Sequence, residues 1–342
     1  MRKLCSNAEF IKLWRQYKSP TRVAEVLNCT VRVVYSIRDR VEEQEGVALP
    51  SMSAHSSRNK LKGENYVKQA ELGVIRKLQE VRHAVRKGVD LVNGKVLVFS
   101  DAHFYPDETT TAFRALLDVI KKYKPEVIVC NGDAFDGSRI SKHSRIGWQH
   151  TPTVKEELDA VKYYLGEIEN ASRFKTNLIW TLGNHDARFE TMLSNTSAHN
   201  YEGVEGFTLK DHFPLWQPCW SFWVNEDTVI KHRWKGGRYA GSNNTTFAGT
   251  NIITGHTHQL KVEPFTDYNG TRYGVQTGTL AYPKGDQFID YTEDNPVDWR
   301  SGFVLLTFHN GKLLMPELIQ TYDENEALYE FRGEVHKAKS VA

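Results

Sequence analysis

The sequence predicts an α/β body with a second sheet, preceded by a small all-α N-terminal module. Three observations predict it. From Lys95 onward, short apolar runs alternate with amphipathic helical segments; later apolar runs follow one another with little helix between them; and the first 45 residues carry apolar positions at helical spacing only. The length of 342 residues exceeds the roughly 100 to 200 usual for one domain, which fits a large body plus an appendage.

The module reads as three short helices. Phe10, Leu13, Trp14 and Tyr17 recur at helical spacing in the first. Ser19 supplies an N-cap with Pro20 at the first helical position, opening a second helix that carries Val23, Ala24, Val26 and Leu27. Asn28-Cys29 fits a turn, and Thr30 caps a third helix through Glu45, with Val33, Val34, Ile37 and Val41 inward and Arg32, Arg38 and Arg40 outward. Gly46 ends it. The V-A-x-x-L of the second helix, the short polar turn and a third helix rich in Val and Arg resemble the helix-turn-helix at the N-terminus of many phage and mobile-element proteins. That resemblance implies DNA binding through Arg32, Arg38 and Arg40. The same periodicity also suits protein contact, homo-oligomerisation or plain packing.

Residues 47–65, rich in Ser, Lys and Arg, have linker composition. A connecting helix is expected next, with Val67, Ala70, Val74, Leu78, Val81 and Val85 on one face. The body then opens with buried-strand candidates at 95–100, 126–131 and 177–182, separated by helices carrying Phe113, Leu116, Leu117 and Ile120, then Val154, Leu158, Val161 and Leu165. The runs at 228–232, 251–255, 273–278 and 303–308 suggest the second sheet, and the last residues a frayed polar tail. The expected divisions are a module at 1–46, a linker at 47–65, a connecting helix at 66–92, a body at 93–320 and a tail at 321–342.

Composition narrows the function. With 40% hydrophobic and 25% charged residues the chain is neither disordered nor collagen-like. No run approaches the ~18 to 20 apolar residues of a membrane span and MRKLCSNAEF lacks a signal-peptide core, so a cytoplasmic protein without membrane association is expected. Cys5, Cys29, Cys130 and Cys219 are scattered, without a C-x-x-C pair, and read as small hydrophobes. The net charge of +2 is uneven. Residues 1–90 hold 18 Lys and Arg against 10 Asp and Glu, a net +8, leaving 26 against 32, a net −6, for the rest. A basic appendage suits a polyanionic partner, while the body gathers carboxylates for another purpose.

Those carboxylates fall at the ends of apolar strands: Asp101-Ala102-His103, Gly132-Asp133-Ala134-Phe135-Asp136, Gly183-Asn184-His185-Asp186, His232, and Gly255-His256-Thr257-His258. Side chains leaving the C-terminal ends of neighbouring strands converge on one crevice, and mixed carboxylate, imidazole and amide donors without thiolates suit Mn, Fe or Zn. The ordered set D-x-H, G-D-x-x-D, G-N-H-D, H and G-H-x-H is similar to that of the calcineurin-like metallophosphoesterase superfamily, over roughly residues 95–315. The resemblance implies a two-sheet αββα sandwich and two divalent metal ions, with Mn the first choice. Carried over by motif, Asp101, His103, Asp133 and His258 would hold one ion, and Asp133, Asn184, His232 and His256 the other. His185 would sit over the substrate, oriented by Asp186, with Asp136 behind the ligands.

The chemistry agrees with that assignment. Two divalent cations outweigh the two carboxylates Asp101 and Asp133, so about two positive charges remain to attract phosphate. His185 is suited to protonating a leaving oxygen or to hydrogen-bonding a phosphate oxygen. Arg233 follows His232 where the family commonly has glycine, which leaves His212 and His199 as rivals for the fourth motif. GDAFDG lacks the arginine of phosphoprotein phosphatases and looks like the second motif of SbcD-like DNA exonucleases. Arg139, Lys142, His143 and Arg145 follow it, as a basic rim for further phosphates or as a solvated loop. The five aromatics between 213 and 223 could stack bases or fill a core, and Trp234 and Arg238 present a similar choice. The expected function is a phage-type metal-dependent nuclease or phosphodiesterase acting on DNA. The alternative is an enzyme of small nucleotides whose module oligomerises.

Overall fold

The computed structural model describes residues 4–49, 83–142, 151–173, 175–196 and 200–341. The chain divides into two compact units, Met1–Lys77 and Leu78–Ala342.

The first unit contains α1 (Asn7–Tyr17), α2 (Pro20–Val26) and α3 (Val31–Glu45). The Ser6 hydroxyl accepts from Glu9 N, and the Glu9 side chain returns to Ser6 N, closing a capping box. Ser19 caps α2 with Pro20 at its start, and Gly46, at φ 63°, ends α3. Phe10, Trp14, Val23, Val34, Ile37 and Val41 form the unit's own core. Two expectations are corrected. Val33 is exposed, because Val34, Ile37 and Val41 already supply the one face that a single helix can bury. The expected linker does not begin at 47: Leu49 is buried in this core, and its N–H donates to the Glu42 carboxylate. The rest of the linker, with Arg58, Lys60 and Lys62, lies outside the described residues.

The second unit begins with β1 (Ala84–Val89), which pairs in parallel with β5 (Gln217–Val224). A helix reaching to 92 is therefore overturned at its end. No residue of β1 is fully buried, and Arg86 packs over the Trp223 ring, which suits an edge strand. The part of that helix from 66 to 82 lies outside the described residues.

The central strands β2 (Gly94–Phe99), β3 (Val127–Cys130) and β4 (Asn177–Thr181) run parallel in that order, joined through α4 (Thr111–Tyr123) and α5 (Val154–Ala171). Their near-continuous apolar sequences reflect burial on both faces. On one face Leu97, Phe99, Ile128, Cys130 and Trp180 meet the helices. On the other, Val96, Val98, Val129 and Ile179 meet Ile230 of β6 (Thr228–Ile230), Ile253 of β7 (Asn251–Thr254), Leu260 of β8 (Leu260–Asp267) and Val275 of β9 (Gly270–Thr277). All strands belong to one hydrogen-bonded series in which β4 passes to β5, β6, β7, β9 and β8. Leu260 nevertheless reaches Gly302 in β10 (Gly302–His309), on the opposite half of the series, so the sheet turns back to face itself. This is the expected two-layer sheet core, with α6 (Asp186–Ser194), the short α7 (Leu209–His212), α8 (Ala240–Ala248) and α9 (Asp286–Thr292) completing the helices.

Two placements differ from expectation. The 303–308 run joins the first half of the series, pairing antiparallel to β2 with Leu305 opposite Leu97. The polar tail is not frayed: after β11 (Lys312–Leu313), β12 (Glu317–Asp323), β13 (Leu328–Phe331) and β14 (Glu334–Lys337) extend the sheet, with Ile319, Tyr329 and Phe331 under α4. Its charges occupy the solvent face of an edge, which masked the alternation. The aromatic segment is largely β5 and its approach, and Phe213, Trp216 and Phe222 are buried in the core while Trp220 is exposed. Cys130 and Cys219 are buried as expected, while Cys5 and Cys29 are half-buried. No helix among the described residues is long and apolar enough to cross a membrane.

Candidate functional site

Level registers bring the strand ends together. Phe99 stands opposite Cys130 and Cys130 opposite Trp180, so the chains leaving β2, β3 and β4 emerge side by side. They remain stitched beyond the strands: Asp101 N donates to Gly132 O at 2.9 Å and His103 N to Asp133 O at 2.9 Å. Asp101, His103, Asp133, His256 and His258 all have positive φ, between 40° and 69°. Such backbone is costly for non-glycine residues and persists where surrounding bonds over-determine it. Two glycines make room. A Cβ on Gly132 would enter the His232 ring, and one on Gly183 would overlap the Asp133 carboxylate.

The donors fall into groups whose ligand atoms lie within 4.8 Å of one another: Asp101, His103 and His258; Asp133, His232 and His256; and His103, Asp136 and His185. The first two bring together three residues from each of the expected ligand sets, without Asp133 in the first or Asn184 in the second. His232 belongs to the cluster despite Arg233: its Nδ1 donates to Asn131 O at 2.7 Å, leaving Nε2 3.0 Å from an Asp133 oxygen. His212 donates to Gly206 O and packs on Phe189, away from the cluster, and His199 lies outside the described residues.

The arrangement fits divalent cations. His103 Nδ1 meets Asp136 at 2.9 Å, while its buried Nε2 and the Asn184 Oδ1 have no hydrogen-bond partner. With its Nδ1 hydrogen on Asn131, the His232 Nε2 lone pair faces a carboxylate oxygen, and two acceptors that close repel unless a cation or proton lies between them. Burial opposes the imidazolium, yet the charges of Asp133 and Asp101 outweigh it and push His232 up to about 10. Burial likewise opposes the Asp133 carboxylate, but His232 and its neighbours hold it well below the usual range. The cluster is thus poised for added positive charge.

Asp186 does not orient His185. Buried at the start of α6, it accepts from Asp133 N, Phe135 N, Gly183 N and the Trp180 indole at 2.8 to 3.1 Å. The reason is local: a helix start turns the Asp186 carboxylate back toward the loop amides, which lack other partners. His185 Nδ1 instead lies 2.9 Å from both the carboxylate and the carbonyl of Asp136. Asp186→Ala should orphan four buried donors at about 1 to 3 kcal/mol each, so we expect a stability loss of about 3 kcal/mol or more in denaturant titration, together with loss of the site. A loss under 1 kcal/mol would contradict this role.

Other expected contacts divide. Arg139 is exposed, and its guanidinium donates to Thr151 O at 2.8 Å; Lys142 is exposed, and His143 and Arg145 lie outside the described residues. In the first unit Arg32 and Arg40 are exposed, but Arg38 is not available outward. It stacks over Trp14 and Tyr35 and pairs with Asp39 at 2.9 Å, because a guanidinium packs well on aromatic faces. Trp234 and Arg238 are exposed, and Arg238 lines a cavity of about 650 Å³ with Gly236, Gln259, Asp298 and His256.

Sequence reasoning passed over three residues. Glu157, buried on α5, accepts from Gly137 N, Ser138 N and Ser138 Oγ; burial and the nearby Asp136 push it up to about 7. Trp299 packs against His258 with centroids 4.3 Å apart. Arg188 touches His185 and Asp136, and its place three residues after His185 was the available signal.

Residues 94–260 match the family described as calcineurin-like phosphoesterase. The Gene 54 protein of Mycobacterium phage L5 is 25% identical over 254 residues, spanning 66% of this chain and 92% of that protein. Among solved structures, the chain is similar to a novel archaeal phosphodiesterase, at 15% identity and TM-score 0.34, over 66% of this chain and 99% of that one. It is also similar to Pseudomonas putida nuclease MPE, at 15% identity and TM-score 0.28, over 65% and 86% of the two chains.

Proposed function

Because this chain belongs to the calcineurin-like phosphoesterase family, and so is a metal-dependent hydrolase, we propose that it cleaves phosphodiesters of DNA at a two-metal centre. The observation that carries the reading is Asp133. One buried carboxylate stands among His232, His256 and His185, level with the Asp101, His103 and His258 group. In this reading Asp101, His103, Asp133 and His258 hold one ion, and Asp133, Asn184, His232 and His256 the other. Bound divalent cations, for which Mn, Fe and Zn all suit this mixed imidazole and carboxylate set, would supply activation of water and neutralisation of phosphate charge.

The chain's own residues do the rest. Water adds across the P–O bond, its oxygen joining phosphorus while the leaving oxygen takes a proton. His185 stands where it can give that proton, and Asp136, bonded to its Nδ1, fixes the orientation of the ring. The anionic partner Asp136 is itself kept ionised: burial opposes its charge, but the bonds from His103 and His185 prevail. Asp186 acts one step further back, fixing the Asp133 and Gly183 amides.

DNA as substrate is supported by the net +8 of residues 1–90 and by the exposed Arg32 and Arg40 of α3. The second reading, a phosphodiesterase of small nucleotides in the host cytoplasm with an oligomerising module, is favoured by the 650 Å³ cavity beside His256 and by the engagement of Arg38. Mn-loaded protein assayed on single- and double-stranded DNA, RNA, cyclic nucleotides and nitrophenyl esters separates them. Turnover of DNA is expected, and exclusive turnover of cyclic nucleotides would favour the second.

The same contrast predicts the effect of removing residues 1–77. The cut must spare β1, which pairs with β5. DNA affinity should fall and its salt dependence flatten by about one unit of log–log slope per lost phosphate contact, while a small phosphodiester is still hydrolysed. Unchanged DNA affinity and slope would end the DNA-binding role of the module.

A further inference from the structure

We propose that Arg188 is a phosphate-binding residue, whose guanidinium takes a non-bridging oxygen of the substrate and thereby releases Nε2 of His185. The inference rests on the phosphoesterase reading and names a contact within it.

Arg188 lies on the first turn of α6, half-buried, one turn from His185. Its hydrogen bonds go to neutral acceptors: Nη1 donates to Asp136 O at 2.9 Å and Nη2 to His185 Nε2 at 3.2 Å. Oδ1 of the Asp136 carboxylate serves His103 and His185. Among the described residues no carboxylate pairs with Arg188, whereas Arg38, Arg272 and Arg332 each have one. A guanidinium partly removed from water without an anion is costly. Beside the group that faces the leaving oxygen, the anion that would compensate it is a phosphoryl group, whose oxygens match the planar fork.

Hydrogen bookkeeping ties this contact to His185. A guanidinium only donates, so Nε2 of His185 accepts, and the ring hydrogen is on Nδ1, directed at Asp136. While Arg188 occupies Nε2, that nitrogen cannot face a leaving oxygen. A phosphate that draws the guanidinium onto itself frees the Nε2 lone pair in the same movement; that nitrogen then takes a proton from water and can pass it to the leaving oxygen, so substrate binding both supplies the missing anion and uncovers the histidine.

The test measures inorganic phosphate binding to the full-length, Mn-loaded protein by calorimetry, for wild type, Arg188→Ala and Arg188→Lys, with metal content and melting temperature as controls. Loss of a charge-assisted contact should weaken phosphate binding about 10- to 100-fold in Arg188→Ala. Arg188→Lys, keeping the charge without the fork, should recover part of it. KM for a phosphodiester should rise with the phosphate constant. Unchanged phosphate affinity in both variants, even with a lowered kcat, overturns the proposal and leaves Arg188 as a support for the Asp136 loop. If Arg188→Ala loses metal or fold, the Lys variant decides: phosphate affinity equal to wild type overturns the proposal, and an intermediate one sustains it. Wild type that binds phosphate but hydrolyses no ester would refute the functional reading while the anion site stands.

Discussion

Asp133→Asn is expected to lower metal-dependent phosphodiester hydrolysis by more than the ~10- to 100-fold that loss of a ligand's supporting partner costs. The residue is buried, and its oxygens meet His185 N at 2.8 Å and His232 Nε2 at 3.0 Å. Removing its charge leaves Asp101 as the one carboxylate to balance two divalent ions, and disturbs both groups of donors at once. Asparagine keeps the volume, which matters because Gly183 approaches this side chain closely, and its amide oxygen can still accept from His185 N. The fold should therefore persist. Elemental analysis should find fewer than two metals per chain, with the melting transition of the metal-free protein little changed. Near-wild-type turnover by Asp133→Asn would sink the two-metal assignment.

For His185→Ala, hydrolysis should fall by roughly 10²- to 10⁴-fold, the usual contribution of a positioned general acid, with both metals retained. The loss should be smallest for nitrophenyl esters, whose leaving group departs without a proton, and largest for alkoxide leaving groups such as a DNA 3′-oxygen. Equal losses on both would show that His185 binds the phosphate and donates no proton. Loss of metal would place the imidazole among the ligands, a role for which its grouping with His103 and Asp136 leaves room. Asp136→Asn should show a milder form of the same leaving-group dependence, because it is Asp136 that holds His185 Nδ1.

Much of the site was legible because its chemistry is written at fixed offsets from strand ends. A buried parallel strand is an apolar run, and the polar residues just beyond it have nowhere to point except across the strand tips. Asp101, Asp133, Asn184, His232, His256 and His258 were found that way, and His232 holds its place although Arg233 breaks the usual pattern. The partner of His185 was not found that way. Asp186 is adjacent in sequence, but a helix start turns it toward the Asp133, Phe135 and Gly183 amides, and Asp136 reaches His185 from another loop. Arg38 shows the same limit in the first unit. Its position on α3 reads as outward, yet the faces of Trp14 and Tyr35 draw it inward.

The sequence by itself determined the alternation of β2, α4, β3, α5 and β4, the three-helix unit before it, and the identity of the carboxylate and imidazole residues that cluster at the strand ends. These depend on local periodicity, on caps such as Ser6 and Ser19, and on residue chemistry, all of which act over a few positions. Only the tertiary structure decided which strands pair and which polar atoms meet. The run at 303–308 joined β2 and the charged C-terminal segment became β12 to β14, because pairing is settled by which apolar faces remain to be covered once the central strands are in place. The partners of Asp186, Asp136 and Arg188 were decided in the same way: an amide, a carbonyl or an imidazole nitrogen left unsatisfied by the fold claims whatever side chain the fold brings within reach.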